Sequence, residues 1–209
     1  MKWQIVTCDN SRHIVPAQKH LFAKYAPSAE LVYIDIGNEP IETWTTNVLA
    51  KLDTENGFTI FGLDDFLPCD FLPRGFSPNP PERFDRIELC SKRGIYTKEE
   101  PYRVSCQFSM WRTEALVELL KTPRSPWQFE IDGTLSGEVH GVENPFRYIN
   151  ESAISKRRPG LINLCGLRME DITELIVLGL VDESKVIYGW KGTAERTREA
   201  YGTKYREFY

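Results

Sequence analysis

A chain of 209 residues with 41% hydrophobic and 27% charged side chains can bury one substantial core and stay soluble. Its formal net charge of -4 argues against a protein whose affinity is mainly for a nucleic-acid backbone. No run approaches the roughly 20 apolar residues that span a bilayer. The opening MKWQIVTCDNSRH turns polar too early for a secretory signal, which sets the expectation of a cytoplasmic protein without membrane insertion. Cys8, Cys69, Cys90, Cys106 and Cys165 are scattered, odd in number and free of any CxxC pair. That usage predicts reduced thiols, with Cys8 and Cys106 as packing groups inside apolar runs.

In chain order, WQIVTC (3–8) predicts a first strand that ends in the polar loop DNSRH. Pro16 then suits the first turn of a helix whose Ala17, Leu21 and Tyr25 recur on one face. ELVYIDIG is a second strand stopped by Gly37, and IETWTTNVLAKLD a second helix with Trp44, Val48 and Leu52 four apart. FTIFGL (58–63) is the third strand. Strands alternating with helices over short connections predict an α/β fold with a parallel sheet.

Residues 67–103 are rich in Pro, Gly and charge and read as a loop-rich insertion, with a short strand at DRIELC. RVSCQFSMWR returns to strand character, and Thr113 is placed to cap the helix EALVELLK. WQFEIDGT follows, then a glycine-flanked loop around His140. A further helix is expected to start at Asp171, with Glu174 at capping-box spacing, and to close at Gly179. Tyr201, Tyr205 and Phe208 form one helical stripe, so 166–209 reads as a helical extension packed on a domain spanning 1–165.

Asp64 and Asp65 stand together directly after the third strand, where an open α/β sheet receives its ligand. Adjacent carboxylates repel, and a hard divalent cation with water and phosphate oxygens would relieve that repulsion. Two solvated acids on a turn are the plainer account of such a pair taken alone.

The run TIFGLDDF resembles the metal-binding motif, of the DxD type, in glycosyltransferases with the GT-A fold. IVTCDNSRHIVP is similar to their first strand and nucleotide-binding loop, and CQFSMWRTEALVELL with SPWQFEIDG to their acceptor-side half. The resemblance covers residues 3 to about 135, and more loosely up to about 165. It departs from the D-x-D pattern, which leaves open whether Asp64 or Asp65 holds the ion. It implies a Rossmann-like, mostly parallel sheet flanked by helices, and transfer of a sugar from a nucleoside-diphosphate donor, UDP favoured, with inversion.

On that resemblance Thr7 and Asp9 would lie against the nucleoside, with Arg12 near base or phosphates. Asp65 with Asp64 would bind Mn²⁺ or Mg²⁺. Glu130, or failing that Asp132, would be the base that takes the acceptor proton. His140 could add a metal ligand, although a lone loop histidine is more often structural. Lys156, Arg157 and Arg158 could clamp the diphosphate, although a short basic run is usually a solvated face. The resemblance implies a surface glycan or a lipid-linked sugar as acceptor or, with the basic run in favour and the acidic charge against, a hydroxylated base in bacteriophage DNA. In that case the protein would work in the host cytoplasm. A nucleotidyltransferase would place its acids similarly, yet TCDNSRH lacks that class's glycine-rich phosphate loop. A binding module with incidental acids is the third reading. No pattern specifies an oligomeric state.

Overall fold

The structure is a computed structural model of the chain that describes residues 2–69, 84–89, 103–136, 139–143, 149–151, 162–163 and 167–187. Its first third follows the alternation expected from periodicity: β1 (Lys2–Thr7), α1 (Val15–Tyr25), β2 (Glu30–Asp35), α2 (Trp44–Leu49) and β3 (Phe58–Leu63). Short 3₁₀ turns at Arg12–Ile14 and Ile41–Thr43 lead into the two helices. Ala17, Leu21 and Tyr25 are all buried, as are Trp44, Val48 and Leu52, so both predicted faces are the packed ones. Gly37 has φ +57, and its amide donates to the Asp35 carboxylate, closing a turn that a β-carbon would strain.

The remaining elements are β4 (Phe66–Pro68), β5 (Arg86–Glu88), β6 (Ser109–Arg112), α3 (Thr113–Leu120), α4 (Pro126–Leu135), β7 (Gly141–Glu143), β8 (Ile149–Glu151), β9 (Ile162–Asn163), α5 (Met169–Val177), a 3₁₀ turn at Glu183–Lys185 and β10 (Val186–Ile187). The main sheet has the order β2-β1-β3-β6-β5-β7. β1 pairs in parallel with both β2 and β3, and β5 with β7, whereas β6 runs antiparallel to β3 and to β5. The expected mostly parallel sheet is therefore mixed. Its parallel half is β2-β1-β3, and the direction reverses where β6 enters.

Each face of this sheet carries its own core. On one side α2, α3 and α4 bring Trp44, Leu116 and Phe129 against Phe61 and Trp111. Trp44 and Phe129 meet with ring centroids 5.7 Å apart. On the other, Trp3, Phe22 and Phe108 form an aromatic triangle with centroids 4.9 to 6.0 Å apart. α1 in turn packs on α5 through Leu21, Tyr25, Ile172 and Leu175. Two expectations about caps change here. Arg112 rather than Thr113 precedes α3, and α5 begins at Met169, so Asp171 lies inside it. Asp171 is buried and accepts from Tyr25 Oη at 2.6 Å and Lys24 Nζ at 2.7 Å, which locks the two helices together. Gly179 does end the helix, at φ +66, with the paired bonds Gly179 N to Ile176 O and Leu180 N to Leu175 O. The stripe of Tyr201, Tyr205 and Phe208 lies outside the described residues.

Candidate functional site

The ends of β1 and β3 are built as one unit. Val6 pairs with Leu63, and the ladder continues one residue further through Asp64 N to Val6 O at 3.0 Å. On the other side Thr7 pairs with Asp35, and Ile36 N bonds Thr7 O at 3.0 Å. The carboxyl ends of β2, β1 and β3 therefore finish level, as the parallel half requires. Beyond them opens a cavity of about 430 Å³, lined by Thr7 at the end of β1 with Cys8, Asn10 and Ser11 after it, by Ile36 to Glu39 and Ile41 after β2, and by Leu63 at the end of β3 with Asp64 and Asp65 after it. Trp44, Pro126 and Trp127 complete it, which gives the cavity an apolar, aromatic wall facing two acids. This is where an open α/β sheet presents its ligand site.

Asp64 is 4% exposed, so its carboxylate needs partners. The Ser11 hydroxyl donates to Asp64 Oδ2 and accepts from the Cys8 amide at 3.3 Å, while the Ser11 amide donates to the Cys8 carbonyl at 3.1 Å. Gln18 Nε2 donates to the carbonyls of Asp64 and Phe66 at 3.1 and 2.8 Å, pinning the turn that carries both acids. Tyr33 Oη donates to Gln18 Oε1 at 2.8 Å. Burial first, and the nearby Asp64 charge second, hold the Tyr33 phenol well above its usual range. Asp65, next in the chain, is the less buried of the pair. Thr7 is buried with its hydroxyl lacking a hydrogen-bond partner among the described residues.

Thr7, Asp64 and Asp65 are thus brought together on one cavity. Asp9 and Arg12 are exposed beside it. One guanidinium nitrogen of Arg12 lies 2.7 Å from Asp9 and 2.6 Å from Asp35, an ion triad that bridges the loops after β1 and β2. Asp35 is held below its ordinary carboxylate value, first by the Gly37 amide and then by Arg12. Arg12 already has two anionic partners, so the structure seats it as a loop clasp.

Glu130 and Asp132 fall inside α4 rather than on a turn, and neither lines the cavity. Glu130 Oε1 accepts from the Cys106 amide at 2.8 Å, and Asp132 faces Arg124 at 3.2 Å. His140 is exposed just before β7, its amide bonded to Asp85 at 3.0 Å. Gly141 is level with Arg86, Arg86 with Trp111, and Trp111 with Thr59. His140 therefore lies at the edge where β3 begins, opposite the edge where Asp64 and Asp65 follow its end. Lys156, Arg157 and Arg158 lie outside the described residues.

Ser11, Trp127 and Cys8 are site residues that sequence reasoning did not single out. Ser11 carried the one available signal, a hydroxyl in the loop straight after the first strand. The half-exposed place of Trp127 on the cavity follows from the start of α4. That start is fixed by a capping box in which Ser125 and Gln128 exchange side-chain and backbone bonds, with Pro126 in the first turn. Cys8 is half-buried, packing against the core with one side and lining the cavity with the other; Cys106 is buried, as expected.

The chain matches no protein-family model and no curated protein.

Among the described residues no helix is long and apolar enough to cross a membrane, and no group of three or more His, Cys, Asp and Glu is placed to hold a metal ion. A cation at this cavity would draw on the two carboxylates of Asp64 and Asp65. The hard oxygen chemistry of that pair suits Mg²⁺ or Mn²⁺, which keep several positions for water and phosphate oxygens.

Proposed function

We propose that this chain is a metal-dependent glycosyltransferase of the GT-A type, moving a sugar from a nucleoside-diphosphate donor, UDP favoured, to an acceptor hydroxyl. The observation that carries this reading is the convergence of Thr7, Asp64 and Asp65 with the Trp44 and Trp127 wall on one cavity at the carboxyl edge of β2-β1-β3. An aromatic wall and a nearby hydroxyl suit a nucleoside, and paired carboxylates suit the cation that accompanies a diphosphate. Bound there, Mn²⁺ or Mg²⁺ would offset charge on the departing diphosphate.

In the proposed step the acceptor oxygen bonds to the anomeric carbon as the bond from that carbon to the diphosphate oxygen breaks. The bonding pair leaves with the diphosphate, and the hydroxyl proton passes to solvent. One displacement of this kind inverts the anomeric carbon. Asp64 and Asp65 hold the cation, Thr7 contacts the nucleoside, and Ser11 orients Asp64. Glu130 and Asp132 act in this proposal as structural partners of Cys106 and Arg124, and His140 takes no part. The acceptor is a glycan in the first instance, with a hydroxylated DNA base as the alternative.

A second reading, a module that binds a nucleotide without transferring anything, draws on the engagement of Glu130 and Asp132 away from the cavity. Calorimetry of UDP with and without Mn²⁺, on the wild type and on Asp65→Asn, tests the shared binding step. Binding that needs Mn²⁺ and fails in Asp65→Asn is expected. Absence of binding by any nucleoside diphosphate with any divalent cation sinks both readings. Metal-dependent binding without labelled-sugar transfer to a panel of glycans and hydroxymethylated DNA favours the module.

A further inference from the structure

Cys8 follows β1 directly, and its thiol sulfur lies 3.3 Å from the Ser11 hydroxyl oxygen. The Ser11 proton is committed to Asp64, so the proton in this contact is the thiol's, and sulfur donates to the serine oxygen. A short chain of bonds thus runs from Cys8 through Ser11 to the buried carboxylate. Cys8 is half-buried rather than sealed, and its outer side lines the cavity. At about 430 Å³ that cavity has room for a substituent of several heavy atoms, one water occupying roughly 30 Å³. Thr7 lines the same cavity with its side chain 5% exposed and its hydroxyl unpartnered among the described residues. A buried hydroxyl left unpaired is costly, which marks a place for a polar group brought by a ligand. Glu39, Asp64 and Asp65 also line the space, so a substituent that carries a carboxylate meets like charge there.

We propose that Cys8 is a modification site that takes a small disulfide without negative charge and thereby controls the cavity. The Cys8 thiolate attacks one sulfur of the disulfide, and a new S–S bond forms as the old one breaks. The departing half leaves as a thiolate and takes up the proton that Cys8 released. Cys8 is oxidised to a mixed disulfide, and one half of the reagent is reduced to a thiol. The retained half occupies the cavity beside the acids, where Thr7 offers its hydroxyl to a polar end. Cys8 then has no proton to donate, so the Ser11 oxygen faces a sulfur that can only accept, and its hold on Asp64 loosens. Modification at Cys8 does not depend on sugar transfer; only its effect on cation binding rests on that reading.

The test treats the full chain at low salt with cystamine, bis(2-hydroxyethyl) disulfide and dithiodipropionate, and locates adducts by peptide mass mapping. Cys8 is expected to react with the first two at least about tenfold faster than with the dicarboxylate, and dithiothreitol should restore it. Urea midpoints of modified and unmodified chains, wild type and Ser11→Ala, read the coupling to Asp64. Modification should lower the wild-type midpoint and leave that of Ser11→Ala where it was. A Cys8 that stays unmodified in excess cystamine, or that takes the dicarboxylate as readily, overturns the proposal. So does an equal drop in both chains. Calorimetry with Mn²⁺ adds a second arm, in which modification should weaken wild-type binding at least about tenfold. Treated Cys8→Ser should keep its own untreated affinity. An adduct at Cys8 that leaves Mn²⁺ binding unchanged overturns the control of the cavity. A chain that forms the Cys8 adduct and shows the Ser11 coupling, yet never binds Mn²⁺, supports the modification site and removes the metal-dependent transfer reading alone.

Discussion

The Ser11 hydroxyl donates to the carboxylate of Asp64, 53 residues further along the chain, and so ties the loop after β1 to the turn after β3. Ser11→Ala would leave a buried carboxylate without this donor. The expected cost is about 1–3 kcal/mol, read as a lower urea midpoint. Ser11→Thr keeps the hydroxyl and should recover most of it. A midpoint unchanged in the alanine variant would show that Asp64 does not depend on this bond.

Glu130 offers a sharp separation of roles. As acceptor for the Cys106 amide it needs one carbonyl-type oxygen, which glutamine also supplies. Glu130→Gln should therefore retain sugar transfer within a few-fold and retain stability, whereas Glu130→Ala loses stability. A general base would behave otherwise, with transfer falling 10²-fold or more in the glutamine variant. Steady-state rates of the two variants decide the matter.

Gly62 stands two residues before Asp64 in β3, under the ring of Phe108. A β-carbon there would meet two carbons of that ring at 2.7 Å and the Phe108 backbone at 3.0 Å. Gly62→Ala should cost about 1–3 kcal/mol through overpacking, and Phe108→Leu in the same chain should return part of it. Urea unfolding of the single and double variants measures the coupling.

The clamp between α1 and α5 makes stability depend on pH at both ends. Burial first, then the hydrogen bond to Asp171, pushes the Tyr25 phenol up to about 12 from 10.0. Between those values the folded chain holds a proton that the unfolded chain releases, so stability is lost as pH rises. Lys24, raised by its bonds to Asp171 and Glu174, acts in the same direction. Glu174 is lowered, by Lys24 first and His20 second, from 4.5. Its contribution is present above that value and lost as pH falls through the folded one. Urea midpoints should be level through neutral pH and decline on both sides. Tyr25→Phe should cost about 1.5–3 kcal/mol at pH 7, as for a hydrogen bond to a charged group, and flatten the alkaline limb. An alkaline limb unchanged in that variant removes Tyr25 from this account.

Local periodicity made much of the amino-terminal half legible. Ala17, Leu21 and Tyr25 mark the buried side of α1, and FTIFGL coincides with β3, because both patterns report a face turned from water. The direction of β6 is a different kind of fact. It depends on where the chain re-enters the sheet, which alternation cannot encode. RVSCQFSMWR likewise reads as one strand, yet only Ser109–Arg112 pairs; Val104 and Cys106 instead bond side chains of α4. Asp171 at capping-box spacing shows the same limit, since its partners Tyr25 and Lys24 come from a distant helix. In the site, the acids are legible from their place after β3, whereas Thr7 enters only through the resemblance. Trp127 and Ser11 needed the third dimension.

The residue Cys106 has a mechanical consequence. Its carbonyl accepts from Leu63 N at 3.3 Å while its amide donates to Glu130 at 2.8 Å, so a single residue spans from the strand that delivers the acids to the helix that bears Trp127. These two walls behave as the fixed jaw of a calliper, set to one opening before any ligand arrives. The facing wall, residues 36 to 41, is joined to β1 and its loop through Ile36 N to Thr7 O and the longer Asp9 to Gly37 bond at 3.4 Å. That wall is tied as closely, since Arg12 also bridges Asp9 and Asp35 at 2.7 and 2.6 Å. The acid-to-indole spacing acts as a gauge, and a molecule that matches it binds without spending affinity on ordering the walls.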